Sequence, residues 1–106
     1  MAVASFLAQA HAVVVSSQPM AGAVLKQKET AIELRFNSRI DHRRSRLFLI
    51  RPDGTRFELA ISDQTRPDIM AARATELTPG GYRIRWQVLS VDGHITRGDI
   101  PFRVAQ

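Results

Sequence analysis

The chain has 106 residues, with 15 Lys and Arg against 10 Asp and Glu for a formal net charge of +5. That length allows one domain with a modest core, and an apolar content of 44% excludes a disordered chain. There is no cysteine, which excludes disulfide staples and thiolate metal sites.

The basic excess is nearly all arginine, placed at alternate positions along apolar stretches and not in one run. No aromatic residues are interleaved with it as a base-stacking platform requires. The charge therefore reads as a solvated basic surface, with no nucleic-acid partner.

Residues 2–10, AVASFLAQA, are small and apolar and end in Ala8-Gln9-Ala10. This fits the end of a secretory signal with an A-x-A cleavage site, although no Lys or Arg precedes the run. It is too short to span a membrane. Residues 1–10 are expected to be a leader and residues 11–106 the domain. Cleavage after Ala10 makes His11 the first residue.

The remainder reads as short strands. Ala12 to Ser17 is an apolar strand, broken by Gln18-Pro19 and Gly22. Thr30 to Phe36 puts Ile32, Leu34 and Phe36 on one face, with Glu33 and Arg35 on the other. Asn37 to Arg44 is a polar, basic loop. Ser45 to Arg51 is an apolar strand expected to be covered on both sides. Pro52-Asp53-Gly54 is a hairpin turn. Arg56 to Ser62 alternates Phe57, Leu59 and Ile61 inward. Asp63 to Pro67 is a loop. In the segment from Asp68 to Leu77, Met70-Ala71-Ala72-Arg73-Ala74 has helical propensity, but its setting among strands argues for a strand.

The strongest stretch runs from Leu77 to Val104. Leu77-Thr78-Pro79-Gly80-Gly81-Tyr82 has the pattern of a tyrosine corner, in which the hydroxyl bonds back to the backbone a few residues upstream. Tyr82, Ile84, Trp86, Val88 and Ser90 share one strand face, and Ile100, Phe102 and Val104 alternate in the last strand. Seven short strands with no internal repeat predict an all-β, antiparallel, immunoglobulin-like sandwich or barrel.

Parity then places a site. In an alternating sandwich the first strand starts at the end where the loop between the last two strands lies. That loop carries Asp92 and His94, so His11, Asp92 and His94 are expected at one pole. A free N-terminal histidine offers an imidazole and an amine. With Asp92 and His94 the set suits one Cu(II) in a tetragonal array, or Zn(II) in a tetrahedral one. Because the ligands must be deprotonated, affinity should fall as imidazoles protonate. His42 reads as an exposed loop histidine, Asp99 as a surface carboxylate or an orienter of a ligand imidazole, and Met20, Met70 and Trp86 as packing residues. Ser90, so close to His94 in the chain, gives no Ser-His-Asp geometry.

The motifs His11-Ala-x-x-x-Ser16-Ser17-x-Pro19, Ile32-Glu33-Leu34-x-Phe36, and Leu77-Thr-Pro-Gly-Gly-Tyr-x-Ile-x-Trp86-x-Val-x-Ser90-x-Asp92-x-His94 through Gly98, Phe102 and Val104 resemble the CopC/PcoC family of periplasmic copper-binding proteins. The likeness covers nearly all of residues 11–106. It implies a seven-stranded Greek-key, cupredoxin-like fold. It also implies Cu(II) bound by His11, Asp92 and His94, and a monomer working with a CopD-like inner-membrane transporter. The family's Met-rich Cu(I) region corresponds here to LFLIRPDGTRFELAI, without Met or His, so Cu(II) alone is expected. Asn37 and Ser38 stand where some members carry a carboxylate. The expected role is copper storage, trafficking or resistance without catalysis. The alternatives are a copper-brace monooxygenase-like enzyme and a metal-free interaction module.

Overall fold

The computed structural model describes residues 12–63 and 66–105. Eight strands form two sheets: β1 (Val14–Gln18), β2 (Ala23–Leu25), β3 (Thr30–Phe36), β4 (Arg46–Ile50), β5 (Arg56–Glu58), β6 (Ile69–Ala74), β7 (Gly80–Leu89) and β8 (Ile95–Val104). One sheet has the order β1-β3-β6 and the other β2-β8-β7-β4-β5. The chain crosses between sheets after β1, β2, β3, β5 and β6, as a Greek-key sandwich requires. The MAARA segment is strand β6, paired in register with β3 from Thr30↔Ala74 to Arg35↔Ile69.

The period-two readings hold where both sheets cover the strand. Ile32, Leu34 and Phe36 of β3 meet Tyr82, Ile84, Trp86 and Val88 of β7, all buried. Phe36 packs edge-on to Trp86 at 5.4 Å, and Tyr82 stacks on Phe102 at 5.3 Å. Burying a side chain of this size contributes about 1.5–3 kcal/mol, so this layer holds the sandwich together. The Tyr82 hydroxyl donates to the Thr78 carbonyl and accepts from the Thr78 N–H, both at 2.9 Å, completing the expected tyrosine corner.

Three expectations need correction. The described residues form eight strands, because Ala23–Leu25 forms β2, which pairs parallel to β8. Phe57 is 49% exposed: it lies on the edge strand of a five-stranded sheet faced by three strands, with Arg51 over its ring. Met20 is likewise exposed, whereas Met70 is fully buried as packing requires.

The extra strand leaves parity intact. At one end the Thr96 hydroxyl, at the start of β8, donates to the Ala12 carbonyl at 2.9 Å. At the other end the Ala105 N–H donates to Leu25 at 2.8 Å. β1 and β2 therefore both run in the direction of β8, as two halves of one strand that switches sheets. The beginning of β1 thus lies beside the beginning of β8.

Candidate metal centre

The hairpin between β7 and β8 is a tight, internally bonded turn. The Ser90 N–H donates to the His94 carbonyl at 2.8 Å and the Gly93 N–H to Ser90 at 3.0 Å. Gly93 has φ +92°, a conformation that an L side chain resists. Ser90 is buried at 3% exposure, and its hydroxyl donates to the Asp92 carboxylate. The same oxygen accepts from the His94 N–H at 3.3 Å. The turn is anchored from below, because Ile40 bridges Ser90 and the Asp41 N–H donates to Leu89.

This scaffold brings two predicted ligands together. His94 Nδ1 lies 3.2 Å from Asp92 Oδ2, with side chains 54% and 40% exposed. Two adjacent donors bound to one ion at about 2.0 Å stand about 2.8 Å apart at a right angle and about 3.3 Å apart in a tetrahedron. The observed pair is in direct imidazole–carboxylate contact, and its spacing is also compatible with two neighbouring ligands of one ion. The Ser90 hydroxyl, with help from His94, holds the Asp92 carboxyl below the usual carboxylate range and keeps it an anionic donor. Because Ser90 donates to the carboxylate, its oxygen is not activated by the imidazole.

His11 lies outside the described residues. Its neighbour Ala12 is fully buried and held by Thr96, two residues past His94. Asn37 also clamps this end of the chain: its Oδ1 accepts the Val13 N–H at 2.9 Å and its N–H donates to the Val13 carbonyl at 3.0 Å. Asn37 thus has a positioning role at the place where other members were expected to carry a carboxylate. Among the described residues, no group of three or more His, Asp or Glu side chains converges on one point.

Two other candidates belong elsewhere. Asp99 lies on the outer sheet face, where Arg85 grips both its oxygens at 2.9 and 3.0 Å and Arg83 stands at 3.7 Å. It orients arginines and not an imidazole. His42 is half-buried, with Nε2 donating to the Ile69 carbonyl at 2.5 Å, so it is a structural tie and not a solvent-facing residue. Sequence reading missed Thr96 and undervalued Ser90. Both carry a signal, since each is a hydroxyl residue on the inward parity of its strand at the site's edge.

The architecture is that of an immunoglobulin-like sandwich with an imidazole–carboxylate pair in its last hairpin. A CopC domain model matches residues 14–105, and the chain belongs to that family. Protein YobA of Escherichia coli K12 is 30% identical over 98 residues, covering 90% of this chain and 79% of that protein. Copper transport protein CutJ of Bacillus subtilis is 27% identical over 100 residues, covering 92% of this chain but only 18% of CutJ. The crystal structure of CopC from Methylosinus trichosporium OB3b superposes with a TM-score of 0.82 at 28% identity, covering 89% of this chain and 93% of that one. PcoC, a methionine-rich copper resistance protein from Escherichia coli, gives 0.68 at 26% identity, covering 91% and 100%.

Proposed function

We propose that this chain is a copper carrier of the cell envelope that binds one Cu(II) without catalysing a reaction. The reading assigns the ion to His11, through its imidazole and a cleavage-generated amine, together with Asp92 and His94. The observation that carries it is the 3.2 Å approach of His94 Nδ1 to Asp92 Oδ2, in a turn whose following strand holds Ala12 through Thr96. The names of the relatives, a copper transport protein and a copper resistance protein, support copper as the cargo. The oxidation state follows from ligand chemistry: nitrogen and carboxylate donors favour Cu(II). A thioether site for Cu(I) is a poor match to three methionines, of which Met70 is fully buried.

Export through the residues 1–10 leader, a monomeric state and hand-over to a CopD-like permease belong to the same reading. Equilibrium Cu(II) titration against a chelator tests it, using protein that begins at His11 and protein that keeps residues 1–10. The form beginning at His11 should bind one equivalent. The leader-bearing form should bind more weakly, because its amine is locked in a peptide bond. His94→Ala should lose more than the roughly 10–100-fold expected for a supporting group. Unchanged affinity in His94→Ala removes the proposed centre.

A further inference from the structure

At the far end of the sandwich, between the β4–β5 turn and the entry to β7, a cavity of about 520 Å³ is lined by Arg51, Arg83 and Arg103. Pro52 and Pro101 supply apolar walls, and no Asp or Glu lines it. The arginines are held in place. A Cβ added at Gly81 would stand 3.3 Å from Arg103 Nη1, so that guanidinium rests on bare glycine backbone. The Arg51 guanidinium sits 5.0 Å from the centre of the Phe57 ring. Arg83 shares Asp99 at 3.7 Å. Among the described residues, Arg103 has no carboxylate within ion-pair distance, and Arg51 acts on the Asp53 carboxylate only through space, as the weakest of the influences on it.

Three arginines line a cavity whose wall holds no Asp or Glu, so their like charges go partly uncompensated there, and an oxyanion bound between them would offset that. The planar fork of arginine donates two parallel hydrogen bonds to phosphate or carboxylate. A phosphate group carries about −1.5 to −2 charges and three acceptor oxygens, matching three donors better than a single carboxylate does. We propose that this cavity is a phosphate-binding site, filled by free phosphate or by the headgroup of an anionic phospholipid. β7 separates it from the Asp92–His94 turn by roughly 30 Å of strand, so it stands independently of the copper reading.

The test is an amide NMR titration of the full-length, metal-free chain at constant ionic strength. One arm uses inorganic phosphate and the other uses vesicles of equal parts phosphatidylglycerol and phosphatidylcholine. Phosphate should shift the amides of Gly54 and Gly81 saturably. Arg103→Ala should weaken binding about tenfold, Arg103→Lys should fall between, and Arg35→Ala on the opposite sheet should match the parent. A preserved spectrum elsewhere separates loss of binding from loss of fold. Arg103-dependent binding to vesicles but not to inorganic phosphate assigns the site to a lipid headgroup. The proposal is overturned if neither probe binds saturably, or if Arg35→Ala weakens binding as much as Arg103→Ala.

Discussion

Gly98 decides how the single tryptophan sits. It pairs with Trp86 across β7 and β8, and a Cβ placed there would lie 2.4 Å from Trp86 Cζ2 and 2.7 Å from Cε2. The indole is held on its other side by Phe36, so it cannot retreat without disturbing the contact between sheets. Gly98→Ala should therefore behave as an overpacked core variant and cost about 1–3 kcal/mol. In a domain of this size that lowers Tm by roughly 5–20 °C, measurable by thermal melting or denaturant titration. An unchanged Tm would mean that the ring does not rest on the strand. Gly98 was visible in the sequence as part of a family motif, but its purpose was not. That purpose depends on cross-strand register, which no single-strand periodicity contains. Ser90 shows the same limit, since only the turn brings its hydroxyl to Asp92.

Between elements, the tie that matters is the one from β8 to the start of β1. Thr96 donates to Ala12 across 84 positions of sequence, and Asn37 brackets Val13 from the other side. These bonds fix where Ala12 and Val13 enter the sandwich. Thr96→Val keeps the volume and removes the donor. It should cost about 1 kcal/mol in stability and weaken Cu(II) binding by the form beginning at His11 about 3–10-fold, since a looser entry must be ordered again on binding. Tyr82→Phe cuts a comparable bond at the opposite end and supplies the control: stability should fall while copper affinity holds. Equal affinity in Thr96→Val and the parent would separate the entry of β1 from the proposed metal centre.

Strand-level legibility follows burial. β3 and β7 show clean alternation because one face of each meets the core. β2 left no pattern because three residues carry no usable period, and its parallel pairing has no local turn signal. In β1 the register shifts between Val14 and Ser16, so the Val13–Val15 run is apolar without being buried as a whole.

Across the whole molecule, alternation turns arginines that look dispersed in sequence into a field. The outward face of β7 and β8 carries Arg83, Arg85, Arg97 and Arg103 with Asp99 as its carboxylate. The opposite sheet presents Arg35 and Arg73 against Glu33, so the basic excess lies mostly on one side. Asp99 compensates part of it, and Arg85, ahead of Arg83, pulls its carboxyl below the usual range. Asp92 is lowered chiefly by Ser90, and Asp53 chiefly by the Thr55 backbone N–H.

A carboxyl group that binds its proton more weakly folded than unfolded stabilises the fold above its unfolded value of about 4. That contribution drains away as pH falls through the lowered folded value. Tm should therefore be flat above about pH 5 and fall steadily toward pH 2. Asp99→Asn should be less stable at neutral pH by about 1 kcal/mol or less, as expected for a largely surface-facing pair. Its deficit should shrink as pH falls below the unfolded value and through the lowered folded value of Asp99, with the variant and parent curves converging toward the acid limit as the carboxyl takes up its proton. Circular-dichroism melts from pH 2 to 8 read this directly. Curves that stay parallel down to the acid limit would show that the Arg85 grip on Asp99 contributes nothing to folding.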